Sequence, residues 1–541
     1  MRRACRIPGV TIENASVSRR LLACASGLLA GFAALAAAEL AAAAVRPEAG
    51  PVKAVGGWVV DVAPAPVKDW AIRQFGSSDK LVLQLGIVVV VSAIAVTLGL
   101  LALRHRRAAA VGALLFGVTG AVAALGRPDS ASWADALPSA VGALAAAALL
   151  YLLAGRLAVS RDIAPGSPVA AGDWDRRGFL IAVSAAAAAS AGATAWGREL
   201  ASARSSGALA SRAAVRLPAS GAPARSVPSG AVLSVPGLKP FITPNKDFYR
   251  VDTALVVPKV DATSWRLRLH GKGVRRPLTL SFEDLLEREL IERDITLTCV
   301  SNEVGGPYVG NARWTGVPLA ALLREAGVKP PSRGGPADQL VSRSVDGMTL
   351  GTPVEDVMDG RDAILAVGMN GRPLPFDHGF PVRMLVPGLY GYVSACKWIE
   401  DIELTTFADY DPYWVKRNWA PRAPVKTQSR IDTPKPFARP KPGTVMVAGV
   451  AWAQHRGIDS VEIRVDDGPW KPADLAAEHT TDTWRQWSFP WNATPGSHTL
   501  TVRATDRTGE TQTEKRTGTV PDGASGWHSV LVNVDQGVWR K

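Results

Sequence analysis

The sequence predicts a chain of three parts: a unit of long apolar helices, an α+β domain and an all-β sandwich. Long runs rich in Ala, Leu and Val fill the first two hundred residues. From Pro240, short alternating strands mix with brief helical patterns and glycine loops. After a Pro-rich hinge at 431–442, only short strands and turn signals remain.

A length of 541 residues leaves room for three or four domains. The 47% hydrophobic content and mean hydropathy of +0.09 come mainly from the first part. The formal charge is +13, with much of the arginine beside the apolar runs. No stripe interleaves Lys or Arg with aromatic residues, so membrane topology explains the basicity better than nucleic acid does.

Five apolar segments lie near 22–45, 81–103, 108–126, 137–157 and 178–197. At 1.5 Å per residue each spans the roughly 30 Å of a bilayer's hydrocarbon layer. Arg2, Arg3, Arg6, Arg19 and Arg20 precede the first. Arg104, Arg106 and Arg107 follow the second, and Arg156, Arg161, Arg176 and Arg177 lie around the loop before the fifth. Positive charge stays inside, so the N-terminus is expected in the cytoplasm and everything after the fifth span outside. The expected location is the cell membrane, multi-pass and in contact with lipid, with the later domains extracytoplasmic. Asp175-Arg176-Arg177-Gly178-Phe179-Leu180 resembles a twin-arginine export signal, placed internally. A haem between membrane helices needs two facing histidines, and this region holds only His105. No haem is expected in the chain.

Residues 201–239, rich in Ala, Ser, Pro and Gly, are expected to form a flexible linker. In the next part, Trp265–His270 alternates as a strand. Leu278–Leu286 turns from strand to helix at a Ser281 cap, and Arg293–Cys299 forms a strand ending in a glycine loop. A helix at Ala320–Ala326 stops at Gly327, and further strands are expected near 339–345, 363–369 and 381–386.

The chain has four cysteines, Cys5, Cys24, Cys299 and Cys396, in no CxxC or CxxCH pattern. That disfavours a zinc ribbon, a dithiol pair and a c-type haem. Cys299 and Cys396 could form a disulfide in an exported domain. The Gly-rich setting of Cys299 argues instead for a free thiolate, and Cys396 reads as a small buried residue. A single soft ligand, followed by the basic, glycine-rich run His378–Arg383, suits a metal carried on a phosphorylated organic cofactor. Arg grips phosphate as a fork, and Gly379, Gly388 and Gly391 let backbone amides approach it.

Three separated runs then occur in order: TCVSNEVGG at 298–306, GNARWTGVPL at 310–319 and MNGRPLPFDHGFPVRMLVPGLYGYVSACKW at 369–398. Together they resemble the molybdopterin-dependent oxidoreductase domain of the sulfite oxidase family, in a bacterial, membrane-anchored form, over roughly residues 240–425. The resemblance implies a molybdenum-molybdopterin cofactor with Cys299 as the protein's thiolate to the metal. It also implies cofactor contacts from His378, Arg383 and Lys397, with polar contacts from Asn302 and Ser394. In the entry segment Asn245 and Arg250 approach cofactor or substrate, and Arg250 and Arg313 orient an anion. The chain departs from animal and plant members at Glu303 and Val304, where they carry arginines, and at Val367, where they carry tyrosine. These changes weaken the case for sulfite. Phe248-Tyr249 with Thr253, and Pro387–Gly391, are similar instead to the periplasmic protein-methionine-sulfoxide reductase branch.

Strands at Val445–Ala453, Ser460–Val465, Trp484–Trp491 and His498–Ala504, with a turn at Asp466-Asp467-Gly468, predict an immunoglobulin-like β-sandwich. Trp452, Trp470, Trp484 and Trp487 are expected as core and interface aromatics. The resemblance makes this the family's dimerisation domain and leaves a homodimer open.

The expected fold class is therefore multi-domain. Transmembrane helices occupy 1–200 and the linker 201–239. The α+β sulfite-oxidase-type molybdopterin domain occupies 240–428, and the immunoglobulin-like β-sandwich 429–541. The leading function is oxygen-atom transfer to a small oxyanion, with a separate electron carrier, either a cytochrome or quinone-linked. The same site run in reverse would be a methionine sulfoxide reductase. A reading from another class is a non-catalytic envelope scaffold.

Overall fold

The structure is a computed structural model that describes residues 9–63, 67, 70, 74–75, 79–127, 130, 132–157, 176–254 and 256–535. Arg2, Arg3, Cys5, Arg6, Arg161 and Asp175 lie outside the described residues. The chain forms two compact units, Met1–Gly207 with Ala254–Val256, and Ala208–Thr253 with Val257–Lys541.

The helices of the N-terminal region are α1 (Gly9–Ala44), α2 (Pro51–Val62), α3 (Asp79–Ala102), α4 (Arg106–Leu125), α5 (Leu137–Leu157) and α6 (Arg176–Ala214). Five helical stretches are long and apolar enough to cross a membrane by length and composition: Ser18–Ala44, Leu81–Ala102, Arg106–Leu125, Trp133–Leu157 and Arg177–Ala214. Small residues set the packing. A Cβ on Gly27 of α1 would lie 2.1 Å from the Ala95 carbonyl oxygen of α3, so only glycine allows this approach. Leu85, Val89, Leu115 and Val122 are exposed, a face that needs apolar surroundings.

The segment expected as a flexible linker is instead helical to Ala214, and from Arg212 onward it is a bound strap. Arg212 donates to the carbonyls of Pro373 and Leu374, and Ala222 bridges in parallel to Ile291. Gln486 accepts from Leu233 N at 2.7 Å and donates to Lys239 O at 2.8 Å. A composition that favours flexibility is overridden here by backbone groups that find partners on the folded domain.

The α+β part contains β1 (Arg266–Gly271), β2 (Leu278–Ser281), α7 (Phe282–Leu286), β3 (Ile291–Thr298), β4 (Val309–Pro318), α8 (Leu319–Glu325), β5 (Gln339–Ser344) and β6 (Thr349–Pro353). It continues with α9 (Val354–Met358), β7 (Ile364–Met369), β8 (Arg372–Pro373), β9 (Arg383–Leu385), α10 (Gly391–Ser394) and β10 (Ile399–Thr405). Ser281 caps α7 in a reciprocal box with Asp284. One sheet runs β2-β1-β10-β5-β6. The other runs β3-β4-β7-β8, with β9 pairing to β7. Leu267, Leu297, Trp314, Leu365 and Phe380 belong to one core.

The C-terminal part has β11 (Gln428–Thr433), β12 (Gly443–Trp452), β13 (Ile458–Val465), β14 (Lys471–Pro472), β15 (Asp474–Leu475), β16 (Arg485–Ala493), β17 (Gly496–Asp506) and β18 (His528–Val534). Its sheets, β11-β12-β16-β15 and β14-β13-β17-β18, share a core of Val447, Trp487, Ile463, Leu500 and Val532. Trp487 is fully buried there, and Trp452 and Trp484 are buried in the core of the α+β part.

Replacing Gln486 with Ala leaves the Leu233 amide and the Lys239 carbonyl without their partner, at a cost of about 1–3 kcal/mol. Limited proteolysis of the purified protein should then cut within 228–240 faster than in wild type. An unchanged cutting rate would show that the strap is held by something else.

Candidate active site

Cys299 follows the last paired residue of β3, where Thr298 sits opposite Val309 of β4. The chain then closes on itself. Cys299 N donates to Tyr308 O at 3.0 Å, Asn302 N donates to Cys299 O at 3.0 Å, and Asn302 Oδ1 accepts from Tyr308 N at 2.7 Å. The thiol is buried, and both Cys299 and Cys396 are free. Burial pushes the Cys299 thiol up, while the Ser301 amide and hydroxyl and the charge of Lys397 pull it down.

Strand alternation sorts the neighbours. Asp294, Thr296 and Thr298 share one face of β3, and Ile295, Leu297 and Cys299 follow the other. Trp314 of β4 belongs to the Cys299 face and donates its indole N–H to Ile295 O at 3.2 Å. The Arg383 guanidinium lies over the Trp314 ring at 5.2 Å, and Phe248 meets both Trp314 and His378 edge to face. Tyr249 stacks on Phe248 at 5.1 Å and is pushed upward by burial and by Cys299, with Arg383 opposing. The sulfur, the phenol and the guanidinium therefore lie in one electrostatic neighbourhood.

Arg383 is buried, and burial pulls it down to about 10. Its Nη1 donates to His378 O at 3.3 Å, and its Nε has no partner among the described residues. Gly379 sits at φ +106, where a Cβ would lie 3.1 Å from both Lys397 Cα and Arg383 Cβ. That crowding leaves glycine as the residue that brings the two basic positions together. His378 Nε2 lies 3.0 Å from Asn245 O. A carbonyl only accepts, so Nε2 carries the proton and Nδ1 is left as an acceptor. Burial, with Arg383 nearby, lowers the His378 pKa to about 4, so the ring is neutral at physiological pH.

Lys397 Nζ lies 2.9 Å from Asp252 Oδ2, and burial lowers its pKa to about 8 against the pull of that carboxylate. Arg250 Nε donates to the same oxygen at 2.8 Å, and its Nη1 lies 3.3 Å from Asp377 Oδ1. Asp252, with a nearly buried side chain, thus joins two cations.

Three sequence candidates fall elsewhere. Arg313 projects from the opposite face of the sheet, where its Nε and Nη2 grip Asp294 at 2.9 and 2.8 Å. His479 of the C-terminal part completes that buried cluster at 2.8 Å. The expected role of Arg313 in orienting an anion beside Cys299 is corrected on this ground. Ser394 spends its hydroxyl on the carbonyls of Leu389 and Tyr390, inside its own turn. Asn245 bonds Met369 O and Asn370, so it supports His378 from behind. Conversely, Tyr249, Tyr308, Trp314 and Asp252 were not singled out as site residues. The Phe248-Tyr249 pair and an acidic residue two positions beyond Arg250 were the available signals.

The C-terminal part grips the other side of this strand and loop. Gln454 Nε2 donates to Thr296 O at 3.0 Å and Thr298 Oγ1 at 2.8 Å, and Arg430 donates to Gly306 O at 2.8 Å. His528 packs so closely that a Cβ on Gly305 would lie 2.2 Å from its ring.

A family model for the oxidoreductase molybdopterin binding domain matches residues 254–414, and one for a bacterial Ig domain matches 428–502. Mitochondrial sulfite oxidase of Mus musculus is 30% identical over 290 residues, covering 46% of this chain and 53% of the relative. The Homo sapiens protein of that name is 28% identical over 306 residues, covering 48% and 55%. Over this part the chain is similar to the sulfite oxidases. It spans about half the length of these curated relatives. An NADH nitrate reductase of Solanum lycopersicum is 34% identical over 202 residues, covering 33% of this chain and 22% of that one. A crystal structure of the sulfane dehydrogenase SoxCD from Paracoccus pantotrophus aligns with a TM-score of 0.47 at 24% identity, covering 54% of this chain and 83% of that one.

Replacing Asp294 with Ala strips Arg313 and His479 of their shared acceptor and should cost about 3 kcal/mol in chemical denaturation. A loss below about 1 kcal/mol would show that the cluster carries little of the fold's stability.

Proposed function

We propose that this chain is a membrane-tethered molybdenum enzyme that oxidises a small sulfur oxyanion, sulfite first, by oxygen-atom transfer. One observation carries the reading: a buried free sulfur, Cys299, and a buried arginine, Arg383, whose Nε has no partner among the described residues, both act on the buried phenol of Tyr249. The residues present fit a phosphate-bearing pterin. A buried guanidinium with its Nε unpartnered among the described residues, beside a glycine turn, suits an anionic group, and a buried cysteine with the Ser301 donors at its sulfur suits a soft metal. When bound, the cofactor supplies two-electron oxygen-atom transfer.

In this reading Cys299 holds the metal as a thiolate, stabilised by Ser301 and Lys397. Arg383 and the amides of the Gly379 turn take the anionic tail, and Asn302 keeps the loop closed. His378, with Nε2 held by Asn245 O, would offer Nδ1 to the cofactor as a hydrogen-bond acceptor. Arg250 and Lys397, arranged around Asp252, attract and orient the substrate. Tyr249, held protonated by its surroundings, donates a hydrogen bond beside the sulfur. Electrons leave to a separate carrier.

The tether rests on the five apolar helices and their exposed apolar faces. Arginines before the first span, between the second and third, and before the fifth favour a cytoplasmic N-terminus and an extracytoplasmic redox domain.

Cys299→Ser in the full-length protein should lower bound molybdenum and sulfite-dependent ferricyanide reduction about a hundredfold or more. Metal content and turnover left at wild-type levels would sink the assignment. Sulfoxide-dependent oxidation of a reduced dye that outpaces sulfite oxidation would reverse the direction.

Lys397 gives a pH prediction. It is charged below its pKa of about 8 and neutral above it. The KM for an anionic substrate should therefore rise as pH climbs through that value, with kcat changing less. Lys397→Arg, charged throughout, should flatten the rise. A KM independent of pH between 7 and 9 in wild type, on a scale of about one unit either side of the pKa, would remove Lys397 from substrate binding.

A further inference from the structure

The helices of the first unit enclose an apolar cleft lined by Leu35 of α1, Ile87, Val91 and Leu98 of α3, Phe116 of α4 and Leu150 of α5. From Ser139, in the first turn of α5, to Leu150 it extends roughly 16 Å along the helix at 1.5 Å per residue. No charged side chain lines it among the described residues.

Ser139 is the exception in this lining. It is buried at 4% exposure, and its hydroxyl has no hydrogen-bond partner among the described residues. Other hydroxyls on these helices behave differently. Ser26, Ser92, Thr97, Ser190 and Thr194 each donate to the carbonyl four residues earlier, at 2.7–2.9 Å. For Ser139 that carbonyl belongs to Asp135, in the preceding 3-10 turn Trp133–Ala136, outside the helix. Gly120 of α4 faces it, and a Cβ there would lie 2.8 Å from the Ser139 oxygen. A hydroxyl in apolar surroundings without a partner costs free energy, so this one is set to donate to a ligand acceptor.

We propose that the cleft binds an isoprenoid quinone, with one ring carbonyl accepting the Ser139 hydroxyl and the start of the tail laid among α3, α4 and α5. A neutral head is required, because a phosphate or carboxylate would enter this lining with no cation to meet it. The choice of a quinone over other neutral lipids rests on the proposed redox reading of the second unit, whose turnover needs an electron acceptor.

The test uses the full-length protein in lipid nanodiscs, labelled with a photoreactive isoprenoid quinone and mapped by mass spectrometry. The same labelling on Cys299→Ser protein makes the readout independent of metal loading. Labelling should fall within 113–120 and 139–150 in both proteins, competed by unlabelled quinone and far less by diacylglycerol. Ser139→Ala should weaken apparent affinity about five- to tenfold, the loss of one hydrogen bond. Ala146→Phe, which fills the cleft with apolar bulk, should abolish labelling while helical content and elution volume hold. Labelling elsewhere, indifference to both substitutions, or equal competition by diacylglycerol overturns the proposal. If Cys299→Ser keeps full metal and turnover while the cleft still labels, the redox reading fails and the site stands.

Discussion

A sulfur and the cations near it are buried together, and the rest of the candidate site follows from that conflict. Burial alone favours the neutral thiol. The Ser301 donors and the Lys397 ammonium work against it, but Lys397 and Arg383 are themselves weakened by burial. Asp252 offsets part of this by holding Lys397 and Arg250 to one carboxylate oxygen. Arg383 has no such carboxylate, and its only described hydrogen bond is to a carbonyl. The charge balance is therefore incomplete in the protein alone, and an anionic tail at Arg383 with a metal at Cys299 would close it.

The same strand serves two domains because its faces alternate. Residues of one parity turn toward the aromatic wall of Trp314, Phe248 and Tyr249. Residues of the other parity, Asp294, Thr296 and Thr298, are held by His479, Trp484 and Gln454. With Arg430 and His528 bracing Gly305 and Gly306, the β-sandwich fixes the position of the Cys299 loop. A domain that sequence resemblance associates with dimerisation thus also acts as the back plate of the site.

Much of the site was legible in the sequence, for a physical reason. Cys299, His378, Arg383 and Lys397 sit within glycine-rich runs, and close backbone approach leaves that local mark. Arg313 was expected beside an anion because it lies in the run GNARWTGVPL, which carries the resemblance. Its partners, Asp294 across the ladder and His479 some 185 positions from Asp294, emerge only from pairing and domain packing. The strap at 212–239 was misread for the converse reason. Its composition describes an isolated chain, whereas its order comes from β3 and Gln486. Ser394 looked available, but a hydroxyl beside two free carbonyls of its own turn bonds locally.

The departures from animal and plant relatives acquire a structural sense from this arrangement. Where those proteins carry arginines, this chain has Glu303, exposed, and Val304, buried beneath the loop. An arginine at 304 would have to carry its charge out of a buried position five residues from Cys299. The positive charge acting on the sulfur comes instead from Lys397, which shares the Asp252 carboxylate with Arg250. Tyr249, buried and coupled to both Cys299 and Arg383, sets a neutral phenol in the same neighbourhood as the sulfur and a cation.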